Sequence, residues 1–251
     1  MQLRAPRSHS SSPASVGHWL EHRRRDDGAR PLVVWYGPGG ERVELSAVTF
    51  ANWVDKTVNL LGDLGWDDAP VVGAPLLHDR AGHWVSLVWA AATWQLGGEV
   101  RAVEARRVQA VDVAVIGPDS PRPLPGVDTV ACSLDPLGGG FDTLAKGLVD
   151  YHEVLAQPDV HTPALLPDPD DPAWHDDAGT RTHAELVAAA GSAGGDSRRV
   201  LVSTHGLDPW TIITHALLGP LAGGGSAVVV EGTIDPARLA AIAAAEKAVT
   251  P

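Results

Sequence analysis

The sequence contains a single cysteine among its 251 residues, which excludes an intrachain disulfide. Cys132 lies in the apolar run 130–132 with no activating base apparent nearby, so we interpret it as a buried structural thiol. An apolar stretch of about 20 residues, the length that crosses a bilayer, is also missing. Residues 1–15 have no apolar signal-peptide core. These absences predict a cytoplasmic protein without a membrane partner.

Positive charge is scarce as well. The chain has 19 lysine and arginine residues against 31 aspartate and glutamate residues, which gives a formal net charge of −12. Because phosphate backbones and anionic membranes bind clustered cations, this balance predicts no nucleic-acid partner. The basic run 23–25 is followed at once by Asp26 and Asp27, a pattern typical of a solvated helix end.

The middle of the sequence predicts a βαβ unit. Residues 71–77 form a β-branched apolar run, the next three residues a polar turn, and residues 84–96 a helix that is apolar on nearly every face. The apolar run 111–116 predicts a strand parallel to the first, because a helical crossover separates them. Strands and helices alternate along the rest of the chain. The sequence therefore predicts an α/β fold with layered, parallel-rich sheets and covering helices.

Four segments are predicted in chain order. Residues 1–15, rich in serine, arginine and proline, form a disordered tail, and residues 158–172, rich in proline and aspartate, form a linker. Residues 16–157 then form a first α/β subdomain, and residues 173–251 form a second, truncated α/β subdomain. Thr182 and its neighbours have the spacing of a capping box, which predicts a helix beginning at the next residue.

Three short motifs carry a family resemblance. They read ELSAVTFANW at 44–53, WQLGGEV at 94–100 and GPLAGGGS at 219–226. In this order they resemble the N-terminal half of the adenylate-forming (AMP-binding, acyl-activating) enzyme superfamily, in particular a short bacterial offshoot of it. The resemblance covers residues 32–250 and implies the fold of a truncated N-terminal domain. Full-length members of the family bind ATP and a carboxylate, form an acyl-adenylate and commonly pass the acyl group to a thiol.

The resemblance places the family's phosphate loop just before Thr182. Such a loop needs serine, threonine, glycine and lysine, because hydrogen-bond donors must surround the triphosphate. Here residues 168–181 read DPDDPAWHDDAGTR, and their aspartates repel a triphosphate. Only Gly179, Thr180 and Arg181 remain as candidate cofactor-binding residues. ATP, AMP or CoA are the ligands that the resemblance implies, but with the loop unrecognisable we predict no cofactor.

No residue is predicted to be catalytic. The sequence ends at Pro251, before the segment in which the family carries its catalytic lysine, and Lys247 is interpreted as a solvated charge. We therefore predict a catalytically incomplete homologue with a binding or regulatory role. The alternative is an acyl-activating (AMP-forming) ligase completed by another chain, and a third hypothesis is a module that keeps only an acyl or nucleotide pocket.

The segment 203–210 contains the candidate substrate pocket. It follows a predicted strand and precedes a predicted helix, the position at which ligand pockets gather in open α/β sheets. The resemblance implies that this region lines an acyl pocket, with His205, Asp208 and Trp210 as candidate residues. The alternative is structural, with Asp208 as a helix cap and Trp210 as a core residue.

Other kinds of site are not supported. The eleven histidines have no zinc-helix spacing, and the tightest group, around His175 and His183, lies in a segment interpreted as a loop, so we predict no metal. The stretch 224–228 lacks the final glycine of a nucleophile elbow, which argues against a hydrolase.

Self-association is the predicted partnership. In the resembling enzymes, later helices cover the second sheet. The strand at 227–231 and the helix at 236–246 are therefore expected to leave an uncovered side, which favours a homodimer. The alternative is a shortened sheet that closes on itself under the terminal alanine-rich helix.

Overall fold

The computed structural model describes residues 15–119, 121–161, 166–194 and 197–250. The predicted disordered tail lies, except for its last residue, outside the described residues. The strands are β1 (Pro31–Tyr36), β2 (Arg42–Ser46), β3 (Val71–Gly73), β4 (Glu99–Arg101), β5 (Val113–Ile116), β6 (Asp128–Ala131), β7 (Leu148–Asp150), β8 (Pro172–Asp176), β9 (Gly179–Thr182), β10 (Arg199–Ser203) and β11 (Ser226–Val230).

Helices cover these strands and connect them. They are α1 (Val16–Asp27), α2 (Ala47–Asp63), α3 (Pro75–Arg80), α4 (Trp84–Gln95), α5 (His183–Ala193), α6 (Pro209–Ile213), α7 (Gly219–Gly223) and α8 (Pro236–Glu246). A π-helical turn joins α6 to α7, and short 3-10 helices lie at Ala105–Arg107 and Tyr151–Ala156. No described helix is both long and apolar enough to cross a membrane.

Two sheets organise the molecule. The smaller has the order β10-β11-β1-β2, and the larger has the order β7-β6-β5-β3-β4-β8-β9. Every pairing is parallel except β1 with β2 and β8 with β9, and each of these two pairs is a hairpin. The predicted α/β class with parallel-rich sheets is confirmed.

The predicted βαβ unit is present, and β3 pairs in parallel with both β4 and β5. One detail of its prediction is wrong. The strand beginning at Val71 ends at Gly73, and residues 75–80 form α3 instead of a continued strand and a polar turn. Pro75 explains the change, because proline at the first turn of a helix fixes a helical φ and needs no N–H partner.

Helix α4 lies in the main core, which also contains residues of β1, α2, β3 and β5. Its eleven residues from Trp84 to Trp94 are all buried, as expected for a helix that is apolar on every side. Cys132 is fully buried, so its interpretation as a structural thiol is confirmed. Burial raises the pKa of this thiol, and the unreactive protonated form is the one present at neutral pH.

The sheets are not divided at the predicted linker of residues 158–172. Strands β1 and β2, from the predicted first subdomain, pair within the same sheet as β10 and β11. Strands β8 and β9, from the predicted second subdomain, extend the larger sheet beside β4. The chain thus leaves the smaller sheet after β2, builds the larger sheet and returns at β10.

Candidate functional site

The segment that the resemblance assigns to the phosphate loop is a β-hairpin. Its interpretation as a loop is wrong, because β8 pairs with β9 and only Asp177 and Ala178 connect them. The Oδ1 atom of Asp176 accepts a hydrogen bond from the Ala178 N–H at 2.9 Å, which closes the turn. Gly179 follows with φ at +127°, a conformation that favours glycine. The chain therefore turns without the open backbone loop that cradles a phosphate.

The candidate cofactor-binding residues already have partners within this hairpin. Thr180 Oγ1 lies 2.9 Å from His175 Nδ1, and Arg181 Nη1 lies 3.2 and 3.3 Å from the two carboxylate oxygens of Asp176. Asp176 is buried and also accepts a hydrogen bond from Trp174 Nε1 at 2.8 Å. The positive charge of Arg181 is thus compensated by a buried carboxylate next to it.

The structure brings together two residues from separate candidate sets. The Arg181 guanidinium lies over the Trp210 ring, 4.7 Å from its centroid, and the Trp210 ring lies 5.5 Å from that of Trp174. A guanidinium over an indole face is a favourable cation–π contact. Arg181 therefore joins the hairpin to α6.

His205 and Asp208 serve different local roles. His205 is exposed, with Nδ1 3.1 Å from Thr233 Oγ1. Asp208 accepts hydrogen bonds from the Thr211 N–H at 2.9 Å and the Thr211 hydroxyl at 2.6 Å, so it caps α6. Partial burial raises the pKa of Asp208, but these hydrogen bonds outweigh it and leave the pKa below its ordinary value. Asp208 is therefore a helix cap, as the structural alternative to a pocket residue predicted.

A second polar cluster, which sequence reasoning missed, lies at the carboxyl ends of β1 and β11. The Arg80 guanidinium contacts both carboxylate oxygens of Glu231, with Nη2 2.8 Å from Oε2. Trp35 Nε1 donates to the same oxygen at 3.0 Å. Hydrogen bonding to Glu231 raises the pKa of Arg80. The signal in the sequence was a carboxylate placed directly after the buried apolar strand β11.

His83 completes this cluster. Its ring packs edge-to-face on Trp35 with centroids 4.4 Å apart, and its Nδ1 accepts the Val85 N–H at 3.2 Å. The residue is fully buried, and its Nε2 has no hydrogen-bond partner among the described residues. Burial, with a smaller effect of the nearby Arg80 charge, lowers the pKa of His83 to about 3. The imidazole is therefore neutral at physiological pH.

Neither cluster has the donor set of a metal site. Within the described ranges there is no group of three or more His, Cys, Asp or Glu side chains able to hold a metal ion. In the hairpin, the charge of Arg181 is balanced by Asp176. In the second cluster, the carboxylate of Glu231 is paired with Arg80. Both arrangements position elements of the fold.

The fold is shared with a known structure. The fold is similar to that of an acyl-CoA synthetase from Brucella canis, with a TM-score of 0.69 and 15% sequence identity, over 94% of this chain and 46% of that chain. The chain thus has the fold of the N-terminal half of adenylate-forming enzymes, as its motifs predicted, and spans less than half of the synthetase.

The closer sequence likeness is to a protein of nearly the same length. The chain is 32% identical over 243 residues to a TIGR03089 family protein of Mycobacterium tuberculosis, which covers 92% of this chain and 95% of that protein. The chain belongs to the TIGR03089 family. No protein-family model matches the chain.

Proposed function

We propose that this protein is a catalytically incomplete relative of adenylate-forming enzymes with a binding or regulatory role. The observation that supports the proposal is the closed β8–β9 hairpin, in which two residues replace a phosphate loop. Adenylate formation requires preorganised donors around the triphosphate and the developing charge. The hairpin instead carries Asp176 and Asp177 at its turn, and carboxylates at close range repel phosphate oxygens.

The hairpin also contains no lysine and no arginine without a charge partner. Arg181 is its single arginine, and this guanidinium is shared between the Asp176 carboxylate and the Trp210 ring. Recruiting it to a phosphate breaks a contact with a buried carboxylate, which then loses its charge partner. The site is therefore built for stability of the hairpin rather than for triphosphate binding.

The direct test is carboxylate-dependent exchange of pyrophosphate into ATP, with an active acyl-CoA synthetase as positive control. We expect no exchange by the purified chain. An Arg181→Gln variant prepared in the same way identifies contaminating ligases, because their activity does not depend on this residue. Exchange by the wild-type chain that is lost in the variant would overturn the proposal.

A ligand screen by thermal unfolding addresses the binding role. A ligand that binds only the folded state raises the midpoint by an amount that grows with the logarithm of its concentration above its Kd. ATP, AMP, CoA and fatty acids are the compounds to compare. We expect ATP to give no shift, whereas a fatty acid or CoA shift would identify a retained pocket.

A second candidate function is an acyl-activating ligase completed by another chain. The observation in its favour is that the chain spans 46% of the synthetase it resembles in fold. Its test is the same exchange assay after addition of a protein encoded by an adjacent reading frame. Exchange that appears only in the mixture would replace the first proposal, and continued inactivity would support it.

A further inference from the structure

A cavity lies on the larger sheet, beside the β8–β9 hairpin. Its volume is about 290 Å³, and it is lined by Arg101, Val103, Arg106, Arg107, Gln109, Val111 and His175. Every charged or titratable side chain in this lining is an arginine or a histidine. In a chain with a net charge of −12, such a local concentration of guanidinium groups calls for a physical explanation.

The sheet register explains how these side chains meet. Arg101, the last residue of β4, pairs with His175 of β8 on one side and with Gly73 of β3 on the other. Residues paired across strands project to the same face of a sheet. The guanidinium and the imidazole therefore share one face, at the carboxyl end of parallel strands, where open α/β sheets gather ligands.

The connection from β4 to β5 forms the roof of the cavity. Residues 102–112 pass over β3 with only one 3-10 turn, Ala105–Arg107, in place of a covering helix. Val108 and Val111 approach Gly73 so closely that a Cβ there would lie 2.8 Å from the Val108 side chain. One end of the connection is thus packed on the sheet, while its 3-10 turn carries Arg106 and Arg107 to the cavity.

Ion pairs hold the arginines in place from outside the lining. Arg101 Nη2 lies 2.9 Å from Glu99, and its Nη1 donates to the backbone carbonyls of Gln109 and Ala110 at 3.3 and 2.9 Å. These contacts use three of the five N–H donors of a guanidinium. Arg101 therefore keeps donors for a ligand while its position is fixed.

The other two arginines are also positioned by carboxylates. Arg106 pairs with Glu104, and Arg107 pairs with Asp177 in the turn of the β8–β9 hairpin. None of the acidic partners belongs to the described lining. His175 is held through Nδ1 by Thr180, which leaves its Nε2 without a partner among the described residues.

We propose that this arginine cavity binds the phosphate group of a small phosphomonoester. Guanidinium groups match phosphate oxygens in charge and in the geometry of paired donors. The cavity volume is near the lower end of the roughly 300–1,000 Å³ usual for ligand pockets. A small phosphate ester fits this volume better than a nucleotide does. The proposal does not depend on the loss of adenylation, because none of the cavity's lining residues belongs to the candidate set.

The test uses orthophosphate and glycerol phosphate as probes, with sodium chloride at equal ionic strength as reference. Calorimetric titration and thermal unfolding of the full chain measure binding. Phosphate should raise the unfolding midpoint and chloride should not. Binding of glycerol phosphate at least as strong as that of orthophosphate supports the phosphomonoester, and stronger binding of orthophosphate would overturn it in favour of the free ion.

Three variants make the test specific. Arg106→Gln changes a side chain that is 80% exposed, so it should fold normally and weaken phosphate binding roughly fivefold to tenfold. Asp177→Asn removes a negative charge beside the cavity, while the asparagine amide oxygen can still accept a hydrogen bond from Arg107, so this variant should strengthen binding. Arg25→Gln, which changes an exposed helix arginine paired with Glu21, is the matched control and should bind like the wild type.

Three further results would overturn the proposal. They are equal stabilisation by chloride and phosphate, unchanged binding in Arg106→Gln, and an equal loss in the Arg25→Gln control. The first two would show that the cavity does not select phosphate, and the third would show that binding follows net charge alone.

Discussion

At the scale of single residues, the buried His83 couples folding to pH. Its pKa of about 3 lies below the ordinary value of 6.5, so below pH 6.5 the unfolded chain binds a proton that the folded chain excludes. The contribution to stability is complete above this pH and is lost as the pH falls towards 3. We expect a loss of about 1.6 kcal/mol in unfolding free energy between about pH 6.5 and pH 5 from this residue alone.

Urea unfolding at these two pH values, on the wild type and on His83→Asn, measures the effect. Asparagine retains the ability to cap α4 but does not titrate. The variant should be less stable overall and should lose less stability on acidification. Replacement of the exposed His22 by asparagine is the control and should leave the wild-type loss unchanged. Equal losses in wild type and His83→Asn would contradict the assignment.

Single residues also show what a sequence reveals about a site. The burial of Cys132 followed from its apolar neighbours. The pair between Arg80 and Glu231 was hidden, because 151 positions separate them and only the topology of the sheets joins them. The contact of Arg181 with Trp210 was missed for the same reason, although each residue was identified separately.

At the scale of elements, the capping box at α5 supports the start of a helix. The Thr182 hydroxyl accepts the Glu185 N–H at 3.3 Å, and the Glu185 carboxylate accepts the Thr182 N–H at 2.8 Å. Thr182→Ala should lower the unfolding free energy by about 1 kcal/mol, because the first turn loses a partner. Thr182→Ser, which keeps the hydroxyl, should stay close to the wild type. An unchanged midpoint for the alanine variant would contradict the role of the cap.

The last helix is held to the smaller sheet by a titratable group. Glu246 accepts hydrogen bonds from Tyr36 at 2.6 Å, Arg42 at 2.9 and 3.1 Å and Arg199 at 2.7 Å. Burial raises the pKa of Glu246, but the hydrogen bonds and the nearby guanidinium charges lower it by more. The pKa therefore lies below its ordinary value of 4.5. The ionised carboxylate is therefore stabilised in the folded state.

Replacement of this carboxylate should give a pH-dependent loss. Glu246→Gln should be about 1–2 kcal/mol less stable near neutral pH, because charged hydrogen bonds are lost. The wild-type advantage should be complete above about pH 4.5 and should fall as the pH drops through the folded pKa. Chemical unfolding across this range measures it, and a difference that does not vary with pH would contradict the role of the charge.

Local patterns predicted elements well where the local and tertiary preferences agreed. The cap at Thr182 and the buried helix α4 followed from sequence spacing alone. The β8–β9 hairpin did not, because its aspartates and histidine are typical of loops and its strands form by pairing with the distant β4. Tertiary pairing overrode local propensity there.

At the scale of the whole molecule, the uncovered sheet face from which we predicted a homodimer is covered in the structure. Strand β11 was expected to have an uncovered side, but it lies between β10 and β1. Helix α8 packs through Ile242 and Leu239 on a cluster that includes residues of β11, so it covers that face of the sheet. This arrangement is the self-closed alternative, although the homodimer itself stays an untested prediction.

The two edges of the smaller sheet argue for a monomer. The outer edge of β10 is covered by the last residues, with the Leu201 N–H donating to the Val249 carbonyl at 2.7 Å and the Val249 N–H to the Arg199 carbonyl at 2.9 Å. The opposite edge, β2, exposes Arg42 and Glu44, and charged side chains discourage pairing with another chain. We therefore expect light scattering at micromolar concentration to give a monomeric mass without concentration dependence.

A truncated chain tests whether this edge protection is the cause. Removal of residues 248–251 takes away both backbone contacts to β10 and leaves an open parallel edge beside a buried apolar strand. The truncated chain should then associate in a concentration-dependent manner, while Val249→Ala, which keeps the backbone groups, should remain monomeric. A wild-type mass that rises with concentration would restore the homodimer, and a monomeric truncated chain would show that β10 needs no cover.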